Sequence, residues 1–172
     1  DRLIAKKQRQ IELLDEQKAI LINRAVTRGL HPHAELQDSG IPWIGPIPKG
    51  WEVKRIGHLG KVGNGSTPSR SNPRFWDRAD FPWLNSGSVN QGIITSSDQY
   101  VSRVALRECH LPLLKPKSIV IAITGQGKTR GTAALLMTEA TINQHLAYIE
   151  VQSSAVLPEF LFMALSAQYQ QL

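Results

Sequence analysis

"SIVIAITGQGKTRGTAALLM", Ser118 to Met137, decides the fold because it admits two opposed readings. Its centre, Ala122 to Thr129, fits A-x-x-x-x-G-K-T, a relaxed form of the phosphate-cradling P-loop. A P-loop places its phosphates on the N-terminus of a helix that starts directly after Lys-Thr. Here Arg130-Gly131-Thr132 follows, and then apolar Ala133 to Met137. Gly131 and Thr132 suit a first helical turn poorly, and Ala122 replaces the first glycine of the strict motif. The 43 residues after Thr129 contain no apolar strand ending in Asp to hold magnesium. The better reading is a hairpin: two buried strands, "SIVIAI" and "TAALLM", flanking a glycine-rich turn. Its tip would expose backbone N–H groups of Gly125 and Gly127 beside Gln126, Lys128, Thr129 and Arg130. That set of groups suits DNA phosphates and base edges.

Outward from this hairpin, "LAYIEV" reads as a further strand, and Pro158 opens a helix over "PEFLFMALSAQYQQL". Upstream, "SRVALREC" reads as a short helix capped by Ser102. "WEVKRIGHLGKV" reads as a strand built around Val53, Ile56 and Leu59. Between them, Gly63 to Gly92 is dominated by turn formers, with Phe75, Trp76, Phe81 and Trp83 interleaved. Trp76 and Trp83 are expected to pin loops or fill core rather than stack on a base. From about residue 51 onward the pattern is α+β with long, polar, structured loops.

The N-terminal residues 1–28 lack Pro and Gly, and Ile4, Ile11, Leu14, Lys18, Leu21 and Ala25 recur at spacings of three or four, or seven, residues. This predicts an amphipathic, coiled-coil-like helix of roughly 40 Å at 1.5 Å per residue, stopped at Gly29. So long a stripe in so short a chain calls for a partner helix. Residues 30–50 carry four prolines and three glycines among a few apolar residues, predicting an extended connector with Trp43 as its pin.

Composition narrows the function. With 172 residues and 41% hydrophobic content, the chain suits one ordinary folded domain plus an appendage. The single cysteine, Cys109, rules out an internal disulfide and favours a cytoplasmic setting. Apolar runs such as "IVIAI" are too short to span a membrane. The chain opens inside a helical pattern and stops without a helix stop signal, so it is expected to be a segment of a longer protein. Net charge is +6; Lys54–Arg78 carries six basic residues against one acid, and Lys115–Arg130 four against none. A polyanion partner follows if those segments share a face.

No enzymatic constellation stands out. A nuclease could be drawn only from Asp38 and the chance-prone Glu52-Val53-Lys54 triplet. His31, His33, His58, His110, His145 and Cys109 form no metal-ligand spacing, so neither a metal nor a cofactor is expected. No G-x-S-x-G elbow occurs.

Taken in order, "LIAKKQRQIELLDEQKAILINRAVTRGL", "DSGIPWIGPIPKGWEVKRI", "GSTPSRSNPRFWD", "PWLNSGSVNQG", "LPLLKPKSIVIAITGQGKTRGTAALL", "TINQHLAYI" and "LPEFLFMAL" closely resemble the specificity subunits of type I restriction–modification enzymes. The match is to a spacer helix leading into a second target recognition domain. The resemblance implies a non-catalytic DNA reader of one half of a bipartite site. Modification (methyltransferase) and restriction subunits would be its partners, and an isolated half of this kind could form a homodimer through its helix. It implies a spacer or dimerisation helix at 1–29, a connector at 30–50 and a DNA target recognition domain at 51–172. Two rivals are the specificity part of a combined restriction–methylation enzyme and a helix-mediated protein-interaction module without DNA binding.

The candidate DNA-binding residues are polar side chains on three loops: Ser66, Thr67, Ser69, Arg70, Asn72, Arg74 and Arg78; Asn85, Ser88, Asn90 and Gln91; and Gln126, Lys128, Thr129 and Arg130. About half of these are expected to close turns instead. Lys128 and Arg130 lead, because a hairpin tip needs no such charge to fold. Asn143 and Gln144 are expected to satisfy buried backbone. The helix stripe named above supplies the candidate subunit interface.

Overall fold

The computed structural model describes residues 2–125 and 129–168. The chain divides into two compact units, one of Asp1–Val53 with Met163–Leu172 and one of Lys54–Phe162.

In the first unit, α1 (Arg2–Arg28) runs the length that the apolar spacing predicted. Gly29 ends it in the left-handed region at φ +74°, donating its N–H to the Ala25 carbonyl at 3.1 Å. Glycine is the residue that takes this conformation without strain. The stripe is open to solvent, with Ile4 71%, Ile11 52%, Leu14 56% and Leu21 66% exposed. Lys18 is exposed and Ala25 half-buried, while Val26 is the buried residue of the helix. Residues 30–50 form a small antiparallel ladder of β1 (Leu36–Asp38) and β2 (Pro46–Pro48), with Gln37 opposite Ile47. Trp43 does not pin this segment. It occupies the turn between the two strands and is 63% exposed, whereas Ile47 is the buried anchor. A turn closed by Ile44 and Gly45 N–H bonds to the Ile41 carbonyl lifts Trp43 outward.

The second unit contains a five-stranded sheet and a three-stranded one. Its strands are β3 (Gly60–Asn64), β4 (Phe81–Leu84), β5 (Ile93–Ile94), β6 (Tyr100–Val101), β7 (Ile119–Ala122), β8 (Ala133–Leu136), β9 (Thr141–Ile142) and β10 (Leu146–Val151). The larger sheet has the order β3-β10-β7-β8-β5 and the smaller β6-β4-β9. β7 and β8 pair antiparallel, with Ile119 opposite Leu135 and Ile121 opposite Ala133. The chain therefore enters a strand where a P-loop would need a helix. Gly131, at φ +85°, donates to the Ala122 carbonyl at 2.7 Å and starts the return.

Leu84, Val89, Ile94, Leu114, Val120, Leu136, Ile142, Leu146 and Tyr148 share one core. Each large aliphatic buried there contributes about 1.5–3 kcal/mol. A second cluster joins Phe75, Phe81, Trp83, Val101, Ala105 and Leu111 beside α2 (Arg103–Glu108). Ser102 caps α2 as its sequence suggested, accepting from the Ala105 N–H at 3.2 Å.

The strand expected around Val53, Ile56 and Leu59 is displaced. Residues Ile56–His58 form a 3-10 turn, and the strand begins at Gly60. Val53, Ile56 and Leu59 are three apart, which is the period of a 3-10 helix rather than the period of two of a strand.

Within the core, the Thr141 hydroxyl has no hydrogen-bond partner among the described residues, and Thr141 is fully buried. An orphaned buried hydroxyl costs about 1–3 kcal/mol. Thr141→Val, which keeps the shape, is expected to raise stability by about 1 kcal/mol. A urea titration checks this, and a lower midpoint at unchanged slope contradicts it.

Candidate nucleic-acid interface

Several strands of the second unit end on one rim. β3 and β7 finish beside the start of β10, with Asn64 opposite Ala147 and Ala122 opposite Leu146. β4 and β9 run parallel and finish together, Leu84 opposite Ile142. The loops leaving this rim begin at Gly65, Asn85, Ile123 and Asn143. Backbone bonds lace them together. Ser66 N–H donates to the Ile142 carbonyl at 3.1 Å, Asn143 to Leu84 at 3.0 Å, and Ile123 to His145 at 3.0 Å. Gly65 allows the first of these approaches, because a Cβ there would overlap the Ile142 carbonyl oxygen.

Four side chains from three of these loops form a continuous exposed relay. The Thr67 hydroxyl donates to Gln144 Oε1, Gln144 Nε2 meets His145 Nε2 at 3.2 Å, and His145 Nδ1 meets Thr124 Oγ1 at 2.6 Å. Asn143 is buried and its Oδ1 accepts the His145 N–H at 3.0 Å, the backbone role expected of it. Gln144 departs from that expectation: it is exposed and bonds side chains.

The sequence-derived candidates divide by what they touch. Thr67 belongs to the relay. Arg130 is exposed and Thr129 half-buried on the β7–β8 connection, where the Thr129 carbonyl accepts the Thr132 N–H at 3.1 Å. Gln126 and Lys128 lie outside the described residues. Arg70 stacks 3.7 Å from the Trp76 ring centre and bonds Gln99 Oε1 at 2.6 Å. The Ser66 and Ser69 carbonyls accept the indole N–H groups of Trp83 and Trp76 at 3.3 and 3.0 Å, and the Ser69 hydroxyl pairs with Ser71 at 2.8 Å. Both tryptophans thus pin the loop, as expected.

Asn72 caps a 3-10 turn by accepting the Arg74 N–H at 3.2 Å. Arg74 is drawn toward α2, 3.5 Å from Glu108. Arg78 is exposed and has no ion pair among the described residues. Asn85 and Ser88 form a reciprocal capping box on the 3-10 helix Ser86–Gln91. Asn90 and Gln91 are exposed at its end. That segment ends on Gly92 at φ +68°, a helical stop rather than a hairpin turn. Gln91 also lines a polar recess of about 230 Å³ with Asn85, Ser97, Asp98 and Gln99.

The basic stretch Lys115–Arg130 does not form one patch. Lys115 and Lys117 precede β7 and Arg130 follows it, so the strand holds them at opposite ends. Lys117 is moreover paired with Glu159 at 2.7 Å. Its hydrogen bond to the Glu159 carboxylate, with a further bond from the Glu159 backbone, holds that acid below its ordinary range. Burial pushes the Cys109 thiol upward, with Glu108 adding to the effect, the opposite of what a nucleophilic thiolate needs. Among the described residues, no group of three or more His, Cys, Asp or Glu is placed to hold a metal.

Residues 48–172 match the family described as the type I restriction modification DNA specificity domain. The chain belongs to that family. Among its curated relatives, the specificity subunit of the type I restriction enzyme MjaIX from Methanocaldococcus jannaschii is 30% identical over 105 residues, 60% of this chain and 24% of that protein. The EcoR124I/EcoR124II specificity subunit from Escherichia coli is 28% identical over 96 residues, 55% of this chain and 24% of that protein. The specificity domain therefore spans about a quarter of the length of these relatives. Such subunits are the non-catalytic members of type I systems. In fold, it is similar to the crystal structure of the HsdS subunit from Thermoanaerobacter tengcongensis, with a TM-score of 0.58 at 18% identity over 99% of this chain and 37% of that one. The α+β class and long N-terminal helix expected from the sequence agree with this likeness.

Nothing local in the sequence marked Thr124 or His145. A lone Thr before a glycine turn and a lone His after Asn-Gln carry no spacing signal. Their part in the relay comes from β7 and β10 being neighbours.

Proposed function

We propose that this chain recognises double-stranded DNA as part of a type I specificity subunit, reading one half of a bipartite site and carrying out no chemistry of its own. The observation that carries the reading is that the family match falls on the unit whose strand ends gather exposed Thr67, Gln144, His145 and Arg130 on one rim. Polar groups held on rigid strand ends are suited to reading base edges, and unpaired cations to neutralising phosphates. Of the candidate residues, Thr67, Thr129 and Arg130 are assigned to this rim; Gln126 and Lys128, outside the described residues, are DNA contacts proposed from the sequence alone. Arg70, Asn72, Asn85 and Ser88 are assigned to shaping the loops.

Residues 1–29 serve as the spacer helix and 51–172 as the recognition domain. The solvent-open stripe of α1 supports docking to a helix, supplied by the modification and restriction subunits or by a second copy of the chain.

Arg130→Ala and Lys128→Ala, in the full-length subunit assembled with its partners, are expected to weaken DNA binding at low salt without changing the thermal midpoint. For each phosphate left without its cation, the slope of log affinity against log salt should fall by about one, with sequence preference unaltered. Fluorescence anisotropy across a salt series tests this. An unchanged slope in both variants counts against the assignment of the hairpin to DNA.

A further inference from the structure

The relay on the rim has a donor order set by the way the Gln144 amide faces. Gln144 Oε1 accepts from the Thr67 hydroxyl, so the amide nitrogen is the atom facing His145. An amide nitrogen only donates. With the amide in this orientation His145 Nε2 accepts and the ring hydrogen sits on Nδ1; the turned amide, with Thr67 accepting and His145 as Nε2–H, is the arrangement that the tautomer measurement below separates from it. Nδ1 then donates to Thr124 Oγ1 at 2.6 Å, and the Thr124 hydroxyl hydrogen has no acceptor among the described residues. The backbone beneath is held by Asn143 Oδ1 on the His145 N–H and by the Ile123 N–H on the His145 carbonyl, both at 3.0 Å. A glutamine exposed on a surface ordinarily turns its amide over freely. Here both ends of the amide are engaged, by residues on either side of it in the fold.

We propose that His145 is a positioning residue that fixes the amide of Gln144, and that Gln144 so held reads an adenine in the major groove. With one lone pair of Oε1 taken by Thr67 and one N–H taken by His145, Gln144 retains, among the described residues, one acceptor and one donor in a set order. That pair complements the N6 amino group and N7 of adenine. It does not match guanine, whose N7 and O6 both accept. This inference rests on the DNA-reading function proposed above and names a determinant of its specificity.

The test selects duplexes from a randomised pool with the full-length subunit in its assembled complex. Wild type is expected to enrich an adenine at one position where Gln144→Ala relaxes the preference about tenfold, within the range of a single bidentate contact. Gln144→Glu should move that position toward cytosine, whose N4 amino group donates to a carboxylate. His145→Ala should relax the same position and no other. His145→Gln, which can present a carbonyl oxygen where Nε2 lay, should restore part of the preference. Thermal melting accompanies each variant, so that a folding loss is not read as a loss of specificity.

A second readout needs no DNA. Selective ¹⁵N-histidine labelling of the subunit at alkaline pH should show His145 as the Nδ1–H tautomer. Thr124→Ala should release it toward the Nε2–H form. If wild type enriches no sequence at all, the DNA-reading function fails and takes this inference with it. If wild type enriches a site but His145→Ala leaves every position unchanged, or if His145 is found as Nε2–H, only this inference is overturned. It is likewise overturned alone if Gln144→Ala alters no adenine position.

Discussion

Gly65→Ala is expected to destabilise the specificity domain by about 3 kcal/mol or more, the upper end of the cost of overpacking. The added Cβ would overlap the Ile142 carbonyl oxygen and lie 2.6 Å from Ile142 Cγ1. Neither can yield cheaply. Ile142 is fully buried and paired in register with Leu84. Relief would have to come from the loop, breaking the Ser66 N–H bond to the same carbonyl and carrying Thr67 away from Gln144. One methyl group should thus reduce both fold stability and the integrity of the rim. Gly57→Ala is the control, since nothing lies within 4 Å of its Cβ position, and its effect should stay within about 0.5 kcal/mol. Urea denaturation of the full-length subunit compares the two, and equal midpoints would contradict the close approach.

Trp83→Ala is expected to cost about 3–5 kcal/mol, the range for emptying a buried aromatic site. Trp83 is 3% exposed and meets Trp76 edge-on with centroids 5.3 Å apart. It also donates its indole N–H to the Ser66 carbonyl. The cavity would therefore undo the second core cluster and the anchor of the 66–72 loop together. Trp83→Phe keeps most of the apolar packing and should lose about 1 kcal/mol with the indole hydrogen bond. A Phe variant as unstable as the Ala variant would mean that the hydrogen bond, not the packing, holds this corner. Arg70 belongs to the same assembly, 4.9 Å from the Trp83 ring centre.

How far the sequence foretold this depends on the range of the interactions involved. α1 and its glycine stop were legible because periodicity and φ preference act within a few residues. The β7–β8 hairpin was legible because two apolar runs flank a turn that no helix could follow. The strand misplaced around Val53, Ile56 and Leu59 came from taking a spacing of three for alternation. Trp43 was misjudged because an aromatic in a proline-rich segment looks like an anchor until the turn that lifts it is known. About half of the loop candidates were expected to close turns; Asn72 and Asn85 do so as caps, though nothing in the sequence singled out Asn85. The relay could not be seen. Thr67 and Gln144 are 77 residues apart, and their meeting depends on β3 and β10 lying side by side. Lys115–Arg130 reads as one basic segment in the linear sequence, but the strand of four residues between Lys117 and Arg130 sets its ends roughly 13 Å apart at 3.3 Å per residue.

The most direct measurement places a photo-crosslinking amino acid at position 67, on the rim, and separately at position 137, in the full-length subunit bound to its cognate duplex. Met137 is 47% exposed and follows β8 at the end away from the rim. Crosslinks to DNA from position 67 and none from position 137 are the predicted result. Crosslinks from position 137 with none from position 67 would contradict the assignment of the rim to DNA.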